Sequence, residues 1–509
     1  MKTVSDIMKH RVRFSPQLEA LVSGEKRYTF QEYNQRANQL AHVLLEKYVQ
    51  KGDRVAILCK NSHLFPTIVL AILKAGAIAV PLNWRLNPGE LDYILRDCQP
   101  KVLFYDEEYE STLSFVREAG LFFTAILAGS GVDSHPSFEA LLLNSSVMEP
   151  DVPIDPEDPA TIIYTSGTTG NPKGVVSCHR NWFYSVVSTT NALDWCEGDR
   201  YLAASPIFHA SGMIVIFSSI LRGMTMVLMA DFDPAKILDT LERERINSMV
   251  AVPTMLIYLL PEVMKTERDL SSLKFFISGA SKVPEKLIEQ YHSFGYSVVQ
   301  AYGCTEASTI ITYWKPRMGW DTVRSVGKPV LEAEIKIVDP ETEQELPAGE
   351  VGEIVFRGPH VFQGYWKNPE ATEQTLRNGW LFTGDAGKLD EDGFLYVIDR
   401  YKDLIICGGT NIYPAQVEPV IQELEGVQEV ALIGIPDKVW GELAVAYIVK
   451  RPGSNLTEDQ VIDYCKQKLA NYKVAGVVFV EDLPKNSMGK VLKRVLRQQA
   501  IDALEDNDE

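Results

Sequence analysis

The sequence predicts an α/β protein: a large N-terminal domain of wound βαβ sheets that includes a small β subdomain, followed by a small α+β C-terminal domain. Three observations predict it. From Tyr28 onward, apolar residues alternate between helical and strand spacing, as parallel sheets built from βαβ units require. Beyond Trp320 the pattern changes to short alternating strands separated by turns such as PETEQELPAGE. After Asp399-Arg400-Tyr401-Lys402-Asp403, a charged break between apolar segments, the strand and helix signals resume on a smaller scale. The domains are accordingly placed at 1–399 and 400–509.

Taken in order, 30–48 carries Tyr33, Ala37, Leu40, Val43 and Leu44 at helical spacing and stops near Gly52. Strands at 54–59, 77–81 and 101–105 alternate with helices at 64–74 and 88–97. Residues 106–150 carry little signal, and the Pro- and Asp-rich 151–159 reads as a linker. It feeds Thr161-Ile162-Ile163-Tyr164, the end of a buried strand, and then the string YTSGTTGNPKG at 164–174. A helix at 181–193 follows, and 201–205 leads into PIFHASG. Three buried strands, 247–254, 273–277 and 296–300, end in VPT, SGAS and AYGCTE. Short strands at 334–338, 352–357 and 393–397 form the β subdomain. The C-terminal domain reads as helix 416–424, strands 427–433 and 443–449, helix 457–469 and strand 476–480. PKNSMGK at 484–490 and a basic helix close it.

Composition bounds the function. A hydrophobic fraction of 46% and a charged fraction of 23% suit a globular chain with more than one core. A net charge of −18 argues against a general nucleic-acid surface or an anionic membrane surface, which would repel it at long range. The longest apolar stretches, 66–82 and 213–229, are interrupted by Lys74, Arg222 and glycines, so they read as core and not as integral membrane spans. The N-terminal MKTVSDIMKH has no apolar h-region, and the seven cysteines show no CxxC pair. Reduced thiols in a cytoplasmic protein without structural zinc are expected.

Strand ends in open α/β sheets are where ligands bind. In the 164–174 loop, Gly167, Gly170 and Gly174 allow close backbone approach, Thr165, Ser166, Thr168 and Thr169 offer donors, and Lys173 a charge. This composition grips phosphate. It is not a Walker A loop, because Pro172 precedes Lys173 and Gly174 follows it. A polar surface turn would also explain the loop taken alone. At the later strand ends, Gly279, Ala280, Ala301 and Gly303 leave room for a flat base or an acyl chain. Tyr302 can stack on adenine, Thr305 can donate to a phosphate oxygen, and Glu306 can hold Mg2+, which needs hard oxygen ligands. His209 lies between Phe208 and an Ala-Ser-Gly segment read as a flexible turn; packing is its bland alternative. Asp385, after Gly384, can accept from two ribose hydroxyls or serve as an ordinary turn aspartate. Gly408 and Gly409 sit in the glycine-bearing loop ICGGTNIYP, and Lys490 follows Gly489 in a loop.

Five motifs in order, from YTSGTTGNPKG through YGCTE, FTGD and DRYKD to PKNSMGK, together resemble the acyl-adenylate-forming superfamily of acyl-CoA synthetases, adenylation domains and luciferases. The resemblance covers nearly the whole chain. It implies that ATP, Mg2+ and coenzyme A are co-substrates of a carboxylic acid. The 165–173 loop would hold the β and γ phosphates, Asp385 and Arg400 the ribose, and His209 the acid. Lys490 would hold the carboxylate and α-phosphate oxygens. A mobile C-terminal domain would then pivot at Lys402, withdrawing Lys490 and bringing in Gly408 and Gly409 to line a pantetheine tunnel. No module follows Lys490 to carry a tethered pantetheine, so free coenzyme A is the expected thiol. The alternatives are a free-standing enzyme loading a carrier protein, a luciferase-like oxygenation and a silent adenylate sensor. No Arg or Lys falls in 206–217 to meet a second carboxylate, so a monocarboxylic fatty or aryl acid is expected. A homodimer is compatible with all of this.

Overall fold

A computed structural model describes residues 3–118, 120–121, 123–128, 138–165, 172–265, 267–408, 410–437, 439–470, 473–485 and 491–505. The chain divides into two compact units: Met1–Ile335 with Phe356–Phe382, and Lys336–Val355 with Thr383–Glu509.

The first unit is built on two sheets. In one, Ser297–Tyr302, Phe275–Gly279, Ser248–Val250, Arg200–Ala203, Thr225–Leu228 and Glu19–Ser23 run parallel, with antiparallel strands added at both edges. In the other, Thr124–Leu127, Val102–Tyr105, Arg54–Leu58, Ile78–Pro81 and Pro159–Thr165 run parallel. Strands such as Val102–Tyr105 and Ile78–Pro81 are buried at every position, as parallel strands covered on both faces must be. The helices Phe30–Lys47, Leu64–Lys74 and Ala210–Arg222 share one hydrophobic core with residues of both sheets, among them Val55, Phe104, Tyr201 and Phe275. Phe30–Lys47 begins where expected because Thr29 and Glu32 form a reciprocal cap.

One expectation changes, and one apolar run resolves into two elements. The strand read at 247–254 is only Ser248–Val250, since Pro253 has no N–H for a ladder and instead opens the helix Pro253–Lys265. The apolar run 213–229 is not one element. Gly223, at φ +70°, ends the helix Ala210–Arg222 and the strand Thr225–Leu228 begins beyond it.

In the second unit, Thr410–Ile412, Ile405–Cys407, Gly441–Lys450 and Val427–Asp437 form an antiparallel sheet, and Gly476–Val480 joins Gly441–Lys450 in parallel. Helices Pro414–Gln422, Glu458–Lys468 and Lys493–Glu505 accompany it. The junction read at 399/400 falls inside this unit. Its strand Leu395–Arg400 pairs back on residues 385–389, and Asp399 Oδ2 accepts from Ala415 N at 2.7 Å, which keeps this hairpin with the C-terminal residues. Among the described residues no cysteine forms a disulfide and no helix is long and apolar enough to cross a membrane.

Candidate active site

The string expected to grip phosphate is flanked by two paired strands. Pro159–Thr165 pairs antiparallel with Lys173–Cys178, with Thr165 opposite Lys173. The first strand therefore turns back on itself, where parallel winding predicts an exit into a helix, and Lys173 opens the return strand. Ser166, Gly167, Thr168 and Thr169 lie outside the described residues. A Cβ on Gly174 would meet Ile162 Cγ2 at 2.8 Å and the Tyr164 ring at 3.0 Å, so only glycine fits.

Strand Gly364–Tyr365 covers the outer edge of the return strand, with Tyr365 opposite Val175 and Trp366 N donating to Gly174 O at 2.7 Å. This brings in a residue the sequence did not single out. Lys173 Nζ lies 5.1 Å from the centroid of the Tyr365 ring, and Tyr365 Oη donates to Glu306 Oε1 at 2.8 Å. Burial first, and then the Glu306 charge, push the Tyr365 hydroxyl above its ordinary pKa, so it remains a donor.

Glu306 stands on a tight turn. Gly279 and Ala301 are neighbours in adjacent parallel strands, and a Cβ on Gly279 would sit 2.3 Å from Ala301 O. Ala280 follows at φ +65°. Beyond Tyr302 the chain closes on itself: Thr309 N donates to Cys304 O at 3.1 Å and Ile311 N to Tyr302 O at 2.8 Å. A Cβ on Gly303 would fall 1.9 Å from Thr309 O. The 3-10 turn Thr305–Ala307 forms the tip, held by Phe362 N donating to Glu306 O at 2.8 Å. Tyr302, Cys304 and Tyr365 pack together on Val175, Ala307 and Phe362. Among the described residues no group of three metal-ligating side chains forms. A lone carboxylate anchored on one oxygen suits Mg2+, which takes one or two carboxylates and completes its shell with substrate phosphates and water.

His209 is not in a flexible turn. It is the N-cap residue of Ala210–Arg222, and Ala-Ser-Gly is the first turn of that helix. Gly212 is required there, because a Cβ would lie 2.2 Å from Ile207 O. From below, the buried Asn61 holds the approach: Nδ2 donates to Ala203 O at 3.1 Å and Ser205 O at 2.8 Å, and Oδ1 accepts from Ile207 N at 3.0 Å. The His209 ring sits 4.1 Å from that of Phe208, and its Nε2 is buried without a partner among the described residues. Burial, reinforced by the Arg85 charge, lowers its pKa to about 4, so the imidazole is neutral. Arg85 lies 4.6 Å from the Trp84 ring, whose edge meets Phe208 at 6.4 Å. Arg85 lies far upstream of the 206–217 segment in the chain and reaches it only through packing.

Within the second unit, Arg400 Nε pairs with Asp385 Oδ1 at 3.1 Å, across strands where the two residues are directly opposite. Thr383 Oγ1 donates to Ile354 O at 2.7 Å, and Gly384 turns at φ +69°. Lys402 lies on the 3-10 turn Tyr401–Asp403, where burial first and then Arg400 lower its pKa. Gly408, at φ +56°, lies flat on an indole: a Cβ there would be 2.8 Å from Trp440 Cε3. Gly409 and Lys490 lie outside the described residues; Lys485 and Val491, on either side of 486–490, form a bridge.

One unit thus brings together Thr165, Lys173, Gly279, Ala280, Ala301, Tyr302, Gly303, Thr305 and Glu306, adding Tyr365. The other brings together Asp385, Arg400 and Lys402. Comparison with known proteins gives a consistent picture. The family model described as AMP-binding enzyme matches residues 8–366, and that described as AMP-binding enzyme C-terminal domain matches 416–490. The chain is 43% identical to YdaB of Bacillus subtilis (strain 168), over 98% of this chain and all of that one. It is 36% identical to the long-chain-fatty-acid–CoA ligase FadD13 of Mycobacterium tuberculosis, over 98% and 99% of the two chains. The o-succinylbenzoate coenzyme A synthetase MenE of Bacillus subtilis, solved with ATP and magnesium ion, superposes with a TM-score of 0.86 at 34% identity, covering 96% of this chain and 98% of that one.

Proposed function

We infer that this chain, which belongs to the AMP-binding enzyme family, is an AMP-forming acid–coenzyme A ligase, and we propose that its acid is a monocarboxylic fatty or aryl acid. The observation that carries the reading is the chain of contacts from Lys173 through Tyr365 to Glu306, which joins two motifs far apart in sequence at one place.

In the first step the acid's carboxylate oxygen attacks the α-phosphorus of ATP and the bond to pyrophosphate breaks. No protein nucleophile is needed, only alignment and neutralisation of charge. Lys173 and the donors of the 165–169 segment supply charge and hydrogen bonds to the β and γ phosphates. Glu306 is the anchor for Mg2+, which when bound neutralises phosphate charge, and the hydroxyl of Tyr365 fixes that carboxylate's orientation. The ribose hydroxyls would donate to Asp385, which Arg400 holds in place. Neutral His209 offers an N–H to the acid's carboxylate without adding a charge that would stabilise the ground state more than the transition state. Lys490 would complete the first step. In the second, the thiolate of coenzyme A attacks the acyl carbon and AMP leaves, after rotation about Lys402 has exchanged Lys490 for Gly408 and Gly409. Both the hinge and the division 1–399/400–509 belong to this proposal, as does a cytoplasmic setting.

Purified protein with ATP, MgCl2 and coenzyme A should be given dodecanoate, cinnamate, 2-succinylbenzoate and malonate in turn, following AMP and thioester together. Equal release of both with a fatty or aryl monocarboxylate is expected. Pyrophosphate, followed in the same runs, released without thioester would favour a carrier protein as acceptor, and no pyrophosphate from any acid a silent sensor. A dicarboxylate turned over fastest would overturn the choice of acid, and would point to Arg85.

A further inference from the structure

The turn bearing Glu306 and the helix headed by His209 are tied by one side chain. Ser308 has φ +46° and Thr309 φ +117°, consecutive non-glycine residues in the left-handed half of φ space. A β-branched residue resists that region most, and it persists there only where surrounding structure imposes it. The surroundings here do so. Ser308 O accepts from Ser185 Oγ at 2.6 Å, and Ser308 Oγ donates to Ser177 Oγ at 3.2 Å. Thr309 Oγ1 donates to Ala210 O at 3.2 Å. Gly303, lacking a Cβ, makes the room into which Thr309 O folds.

These contacts have a common destination. Ser177 lies on the strand that starts at Lys173, and Ala210 directly follows His209. The strained pair therefore ties the turn of Glu306 to the strand of Lys173 and to the first turn of the His209 helix. Glycine would hold the same backbone without strain but carries no hydroxyl, so the bond to Ala210 O is the one contribution that requires this side chain at 309.

We propose that Thr309 is a positioning residue that sets the separation between the phosphate-side Glu306 and the acid-side His209, and through it how tightly the acid is held. The proposal rests on the ligase reading above. Thr309 touches neither reacting atoms nor phosphate in this role; it acts through the first turn of the His209 helix.

The test uses the full chain and the acid of the four above that wild type converts fastest. Thr309→Val keeps the shape and removes the hydroxyl, Thr309→Ser keeps the hydroxyl, and Thr309→Gly removes both hydroxyl and strain. For Val and Gly we expect KM for the acid to rise about tenfold, the equivalent of one hydrogen bond, with KM for ATP unchanged. Ser should stay within about twofold of wild type. The Gly variant, relieved of strain, keeps the measurement possible if Val folds poorly. A purely structural role would move both KM values together or lower only the folded yield, and either result overturns the proposal, as does Val behaving like Ser. If wild type releases no AMP from any acid, the ligase reading fails and the proposal falls with it. If wild type is active and the three variants are alike, only the proposal fails.

Discussion

Asn61 offers the sharpest test of how His209 is held. Its side chain is 5% exposed and makes three hydrogen bonds, to Ala203 O, Ser205 O and from Ile207 N, at 3.1, 2.8 and 3.0 Å. Asn61→Ala deletes all three. At about 1 kcal/mol net for each bond the loss is about 3 kcal/mol, and leaving Ser205 O and Ile207 N without that partner adds to it unless water enters the vacated space, while Ala203 O keeps its bond from Met229 N at 3.1 Å. A destabilisation of about 3–5 kcal/mol in urea unfolding is expected. Asn61→Asp sharpens the test, because it keeps the acceptor facing Ile207 N but turns a carboxyl toward two carbonyl oxygens. Burial and those carbonyls raise its folded pKa above the unfolded value of about 3.9. The folded state then holds its proton longer, so the variant's stability is greatest at low pH and is lost as pH rises through the folded value. It should be further below wild type at pH 8 than at pH 5. A cost under about 1 kcal/mol for Ala, or an Asp penalty independent of pH, would refute the view that this side chain supports the approach to His209.

Tyr365→Phe removes the bond to Glu306 and should raise the Mg2+ concentration for half-maximal AMP release several-fold, with the unfolding midpoint nearly unchanged; an unaltered Mg2+ dependence would separate Tyr365 from the metal. His360 is fully buried, neither ring nitrogen has a partner among the described residues, and burial lowers its pKa to about 4. Between there and the unfolded value of about 6.5 the folded state binds fewer protons than the unfolded, so stability falls as pH falls through that window. His360→Leu should flatten this acid limb, and unfolding curves that remain parallel to wild type from pH 7 to pH 5 would refute it.

Much of the architecture is visible in the chain because its signals are local. The helix Phe30–Lys47 carries its own cap and its own apolar stripe, and Gly476–Val480 is where the residue pattern puts it. Where competing signals share a run the pattern alone does not divide it: 213–229 is largely apolar, and Arg222 and Gly223 together mark the change from helix to strand. The N-terminal helix Val4–Phe14 lacks a pattern strong enough to announce it, although Thr3 and Asp6 form a capping box. The site divides in the same way. Glu306, Lys173 and Asp385 stand in contiguous strings that the family resemblance singles out for phosphate or ribose. Tyr365, Asn61 and Arg85 owe their roles to strand pairing and packing between segments remote in sequence, and nothing beside them in the chain distinguishes them from ordinary core or surface residues.

The two-residue strand Gly364–Tyr365 bears on how the chain is made. Glu306 leaves the ribosome well before its partner Tyr365, and the 336–355 segment that emerges between them belongs to the other unit. The hairpin edge along Val175 and Val176 stays open for that interval, a ready template for a stray strand. Any shortened version of this protein that stops before residue 364 keeps that edge bare permanently, and its solubility, not its nucleotide affinity, will decide whether it can be handled at all.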